Sequence, residues 1–151
     1  MSSPDDPTSP SVCCIDGSVL EGGGQILRQS TALAGLFGRP LRIEKIRAGR
    51  KKPGVKAQHL VGIQLVARQC SATTSGDVKD SCELHFTPTK PVQGGSYVGD
   101  IGTAGSVQLL VQSILPGALY ASCSSTFTLH GGTNASWAPM SDYTQRRCGW
   151  V

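Results

Sequence analysis

Charged residues are scarce in this sequence, at 16% of 151 positions, while hydrophobic residues reach 38%. That balance argues against disorder for the bulk of the chain, because disorder needs low hydrophobicity and high net charge. No apolar run approaches the ~18 residues of a membrane-spanning helix, so no membrane partner is expected. The six cysteines include no C-x-x-C pair and no regular ligand spacing. This sets aside a zinc module and fits reduced thiols in an intracellular protein. The opening Met1–Pro10 has neither the basic region nor the apolar segment of a secretory signal, and residues 1–11 read as a disordered tail.

Three common catalytic signatures are also missing. Gly22-Gly-Gly-Gln-Ile-Leu27 lacks the third glycine of a dinucleotide fingerprint, and Gly54 is followed by Val55 where a Walker A loop needs Lys and then Ser or Thr. No Ser-His-Asp or metal constellation can be assembled around His59, His85 or His130. His85 and His130 fall in expected strands and read as structural. His59 adjoins a basic loop at a helix start and reads as a ligand-binding group, not a nucleophile.

What is present is glycine and clustered positive charge. The 19 glycines exceed the usual share of roughly 7% and gather at Gly22–Gly24, Gly94–Gly95 and Gly131–Gly132, which suggests backbone-lined turns. The net charge of +4 is modest but uneven, with eight of the fourteen basic residues between Arg39 and Lys56 against one acid, Glu44. Such a concentration favours a polyanionic partner, nucleic acid or nucleotide, with a solvated basic face as the alternative.

Hydrophobic periodicity predicts a strand at Val12–Ile15 and a helix at Gln25–Phe37 with Ile26, Ser30, Leu33, Ala34 and Phe37 on its apolar face. Gly38 and Pro40 stop that helix. A strand at Leu41–Ile46, a helix at Lys56–Arg68 facing inward through Leu60, Ile63 and Ala67, and strands at Ser71–Thr74 and Glu83–Thr87 complete a first unit over 12–93. The expected class is α/β, with two helices packed on one face of a four-stranded sheet. A partial second unit over 94–144 carries a strand at Gly95–Asp100, a helix at Gly105–Leu119 and a strand at Phe127–Leu129. Pro116 is expected to kink or end that helix. Residues 145–151 read as a tail outside the repeat.

Two loops have phosphate-binding chemistry. Glu21-Gly-Gly-Gly-Gln-Ile-Leu-Arg28 joins a turn to a helix start, where glycines let backbone N–H groups approach an anion. Arg47-Ala-Gly-Arg50-Lys-Lys-Pro-Gly54-Val-Lys56-Ala-Gln58-His59 offers guanidinium forks for phosphate oxygens.

Taken in order, Glu21–Arg28, Lys45–Arg50 with Pro53-Gly54, Gln58-His59-Leu60, Gly102-Thr-Ala-Gly-Ser106 with Gln112, and His130-Gly-Gly-Thr-Asn-Ala135 with Ala138-Pro139 resemble the RNA 3′-terminal phosphate cyclases. The resemblance covers about residues 12–144. It implies a fold of repeated units of two helices on a four-stranded sheet. It also implies ATP-dependent conversion of an RNA 3′-phosphate end to a 2′,3′-cyclic phosphate, with a divalent metal, Mg or Mn. In the family a histidine is adenylylated, AMP passes to the RNA phosphate, and the vicinal 2′-hydroxyl displaces it.

Matched position by position, Glu21, Arg28, Arg47, Arg50, Gln58 and His59 fall on catalytic positions, Gln112 and Pro139 on ATP-lining positions, and Glu21 on the metal. The family's adenylylated histidine belongs to a C-terminal segment with no counterpart here, so the chain is expected to be inactive alone. The resemblance implies a nucleoplasmic location, with the cytoplasm as a second compartment. A non-catalytic relative that acts as an RNA-binding scaffold in ribosome assembly is the alternative, but it lacks the Glu-Gly-Gly-Gly-Gln opening.

Overall fold

In the computed structural model, which describes residues 11–148, β1 (Cys13–Asp16) and β2 (Leu41–Glu44) run parallel and are joined by α1 (Gly24–Phe37). After α2 (Ala57–Gln69), β3 (Thr73–Ser75) and β4 (Leu84–Thr87) add antiparallel, giving the order β1-β2-β4-β3. Period-two alternation decides which sheet face the helices cover. Leu41, Ile43, Leu84 and Phe86 are buried and pack with Leu27 and Ala34 of α1 and Ile63 and Val66 of α2. The opposite face carries ion pairs instead, Arg42 reaching Glu44 at 2.7 Å and Glu83 at 2.8 Å. Exposed pairs contribute about 0–1 kcal/mol each, against ~1.5–3 kcal/mol for each fully buried Leu, Ile or Phe. The helix-side core therefore dominates the stability of this expected two-helix, four-stranded unit.

The buried face of α1 differs from the one periodicity predicts. Leu27, Thr31, Ala32, Ala34 and Gly35 are buried, whereas Leu33 is 49% and Phe37 70% exposed. The reason is that α1 packs on α2 and α3 as well as on the sheet, and close helix approach selects its small residues. Thr31 joins this face by donating its hydroxyl to the Leu27 carbonyl at 2.7 Å.

Helix α2 is buried on two sides. Leu60, Ile63, Val66 and Ala67 face the first core. Ala57, Val61 and Leu65 join a second, with Tyr97, Ile101, Leu110, Ile114, Phe127 and Leu129. That second core belongs to β5 (Ser96–Asp100), α3 (Val107–Tyr120) and β6 (Thr126–His130), in which β5 and β6 pair in parallel. Tyr97 stacks on Phe127 with ring centroids 5.1 Å apart.

Pro116 does not end α3, which continues to Tyr120. The ring removes one N–H, that aimed at the Gln112 carbonyl, and sits on the groove side while packing on α1 and α2 holds the helix. A further helix, α4 (Ser141–Cys148), forms where no element was expected. It is too short and polar to show periodicity. Asp142 in its first turn suits the helix dipole, and its start is tied down by the Ser141 backbone N–H and hydroxyl, which donate to Asn134 Oδ1 at 3.3 and 3.1 Å. Among the described residues no helix is long and apolar enough to cross a membrane, and Cys13, Cys14, Cys70, Cys82 and Cys123 form no disulfide.

Candidate active site

Parallel strands in α/β sheets present ligands at their C-terminal ends, and four loops leave such ends here: 17–23, 45–56, 101–106 and 131–140. All four contribute to one cleft of about 990 Å³. Its lining includes Glu21, Arg28, Arg47, Arg50, Gln58 and His59, so every side chain matched to a catalytic position is brought together. Gln112 and Pro139 lie together in an adjoining groove of about 860 Å³ between α1 and α3, which shares Gln25, Arg28, Leu109 and Trp137 with the cleft. Gln25, Lys79, Thr103 and Trp137 also line the cleft and were not singled out from sequence. Gln25 and Thr103 fall inside the glycine motifs of residues 21–28 and 102–106, and Trp137 was legible only as a lone aromatic in the loop after β6.

The electrostatics of the cleft are one-sided. Burial holds the Arg28 pKa below its ordinary value, and burial followed by repulsion from Arg50 does the same for Arg47. Among the described residues no carboxylate pairs with either guanidinium. Arg50 has a partner, Glu21 at 3.5 Å, the one carboxylate in the lining, whose side chain is 93% exposed. Lys56 bonds the Pro53 carbonyl at 2.6 Å and pairs with Asp80. Helices α1, α2 and α3 all begin at this cleft, and none carries an acid in its first turn. Their N-terminal partial charges add to the arginines.

His59 is built into this wall. Its Nδ1 accepts the Lys56 backbone N–H at 3.2 Å, which leaves Nε2 to carry the proton of the neutral ring. The ring lies over Gly24, where a Cβ would overlap Nε2 and sit 2.7 Å from Cδ2. Burial first, then Arg47, Arg28 and Lys56, push its pKa down to about 4. At neutral pH His59 is therefore an uncharged N–H donor. Gln58 plays a different part, because its Oε1 accepts the Ser106 N–H at 2.8 Å. Ser106 in turn caps α3, its hydroxyl accepting from the Gln108 N–H at 3.2 Å. Gln58 thus fastens the second unit's glycine loop to α2 and fixes one side of the cleft.

Among the described residues no three His, Cys, Asp or Glu side chains form a metal-binding group. A divalent cation at Glu21 would have one carboxylate from the cleft wall and would take its remaining ligands from phosphate oxygens and water, an arrangement suited to Mg²⁺. The lining is otherwise basic, with an adjoining, more apolar groove.

The family model for RNA 3′-terminal phosphate cyclase matches residues 19–148. A protein named RNA 3′-terminal phosphate cyclase from Pyrobaculum aerophilum is 50% identical over 129 residues, covering 85% of this chain and 37% of the relative. Its namesake from Methanosarcina acetivorans is 44% identical over 131 residues, covering 87% and 37%. A probable RNA 3′-terminal phosphate cyclase from Dictyostelium discoideum is 48% identical over 133 residues, covering 87% and 31%. The chain thus spans roughly a third of the length of these curated relatives, and with its match running through both units and all four loops of the cleft, it belongs to the RNA 3′-terminal phosphate cyclase family.

Proposed function

We propose that this chain forms the phosphate-binding wall of an ATP-dependent site that closes an RNA 3′-phosphate into a 2′,3′-cyclic phosphate. One observation carries the proposal: Arg28 and Arg47, half-buried and without a carboxylate partner among the described residues, face a cleft into which three helix N-termini open. Depressed guanidinium pKa values mean that the charged forms are under-solvated. A phosphate between them restores that solvation and is held in bidentate geometry. Fixed cations aimed at transferring phosphoryl groups also stabilise the charge that develops during transfer.

Each remaining group then has a role. His59 donates Nε2–H to a phosphate oxygen, and Gln58 keeps the 102–106 loop in place. Glu21 would hold Mg²⁺ or Mn²⁺, which supplies Lewis-acid neutralisation of phosphate charge. The groove carrying Gln112 and Pro139 accepts ATP beside Arg28. The basic segment Arg39–Lys56 draws in the RNA backbone through counterion release.

None of the three histidines serves as the adenylylated nucleophile in this reading. His59 has one nitrogen engaged and is packed over Gly24. His85 pairs with Glu83 at 2.8 Å on the open sheet face, and His130 lines neither cavity. The chain alone therefore binds without forming an enzyme–AMP bond. The test has two parts. RNA with a 3′-phosphate should bind more tightly than the same RNA with a 3′-hydroxyl, and Arg28→Ala with Arg47→Ala should abolish that preference. Equal binding of both ends by the unmodified chain would sink the phosphate reading. Incubation with α-labelled ATP and metal should leave no acid-labile label, and label lost in His59→Ala would overturn the assignment of His59.

A further inference from the structure

Trp137 is wholly exposed, at 101% of its reference area, although an indole of this size usually buries most of its surface. It is also held at φ 63, in the left-handed region, where a bulky side chain costs about 1–3 kcal/mol. The loop around it is anchored, since Ser141 Oγ lies 3.1 Å from both the Thr133 carbonyl oxygen and Asn134 Oδ1, and the Ser141 backbone N–H donates to that Oδ1 at 3.3 Å. Its position is specific as well. Trp137 lines both the arginine cleft and the groove of Gln112 and Pro139, with Arg28 common to the two.

We infer that Trp137 is a stacking platform for a nucleobase, that of the nucleotide whose phosphate lies against Arg28. The inference rests on the phosphate reading of the cleft. A flat π-face beside a phosphate-binding guanidinium is the pairing that nucleotide sites use, because every base offers a face to stack on and the phosphate sets its distance. Among the described residues nothing covers this indole, so its strained conformation is not offset by packing. Stacking a base covers its apolar face. Two sources of base are available, ATP and the terminal nucleotide of RNA, and they share this chemistry.

The test uses the full chain carrying Trp150→Phe, so that Trp137 is its one indole. ATP, a 3′-phosphorylated oligoribonucleotide, the same oligonucleotide with an abasic terminal residue, and tripolyphosphate are each titrated by tryptophan fluorescence and by calorimetry. Base-bearing ligands should quench Trp137, whereas tripolyphosphate should bind without quenching. Trp137→Ala should weaken the base-bearing ligands about tenfold, within the stacking range, and leave tripolyphosphate unchanged. Trp137→Phe should restore most of the affinity. Quenching by ATP alone assigns the platform to the nucleotide, and quenching by the oligonucleotide but not its abasic form assigns it to RNA. Unchanged affinity of every ligand in Trp137→Ala, with tripolyphosphate still bound, overturns the stacking role while sparing the phosphate site. Failure of the unmodified chain to bind tripolyphosphate and the phosphorylated oligonucleotide overturns both.

Discussion

Replacing Gly24 by Ala tests how the cleft holds His59 uncharged. The new Cβ would overlap Nε2 of the imidazole and lie 2.7 and 2.9 Å from Cδ2 and Cε1, so the ring must leave its place. On the backbone the change favours the helix by no more than about 0.5 kcal/mol, because Gly24 is the first residue of α1 and not an interior one. Displacing the ring removes the Lys56 N–H to Nδ1 bond, worth about 0.5–1.5 kcal/mol. These terms partly cancel, so global stability at neutral pH should change by less than about 1 kcal/mol. The large effect is on ionisation. In the native cleft the pKa is about 4 against an ordinary 6.5, and a displaced, solvated ring should titrate near the ordinary value.

Linkage gives this effect a direction. Because the folded-state pKa is depressed, the unfolded chain binds more protons between pH 6.5 and 4, and the native protein loses stability as pH falls through that window. The loss is on the order of 3 kcal/mol for a shift of this size. It should be absent above pH 6.5 and much reduced in Gly24→Ala. Histidine proton resonances followed by NMR, with His59→Gln for assignment, and urea melts at pH 4.5 and 7.5 would measure both. A Gly24→Ala protein whose His59 still titrates near 4 would refute the argument that burial against Gly24, together with the neighbouring cations, sets its charge.

Three other perturbations have defined outcomes. Arg50→Ala with Lys51→Ala and Lys52→Ala should weaken RNA binding and flatten the dependence of log K on log salt by about 0.7 per lost phosphate contact, as read by titration at several salt concentrations. Gly54→Ala should destabilise the chain by about 3 kcal/mol or more, because at φ 78 a Cβ would sit 2.5 Å from the Asp80 carbonyl carbon; an unchanged thermal midpoint would refute that packing. Trp137→Gly should raise stability modestly, by up to about 1 kcal/mol, by relieving the left-handed strain, and a lower denaturation midpoint would count against it.

Most strands and helices of the two units were legible because each has a period. Leu41-Arg-Ile-Glu44 alternates as a half-buried strand does, and glycine and proline punctuate the ends of α1. The basic and glycine-rich loops were legible as phosphate chemistry, since charge and backbone freedom belong to residue types wherever they sit. Packing direction was not. Leu33 and Phe37 of α1 are the residues periodicity would bury, yet Thr31, Ala32 and Gly35 are buried because α2 and α3 press on that side. Gln58 lines the cleft, but that its Oε1 is spent on Ser106, 48 positions away, could not be read from the one-dimensional motif. His59 read as a ligand-binding group beside a basic loop, but its neutral state comes from burial and three cations that only the fold brings around it. Composition and local order therefore determined the elements and the sign of charge in the loops, which depend on neighbours along the chain. Tertiary structure decided which face is buried, which polar groups are already paired and which charges survive, because those depend on neighbours in space.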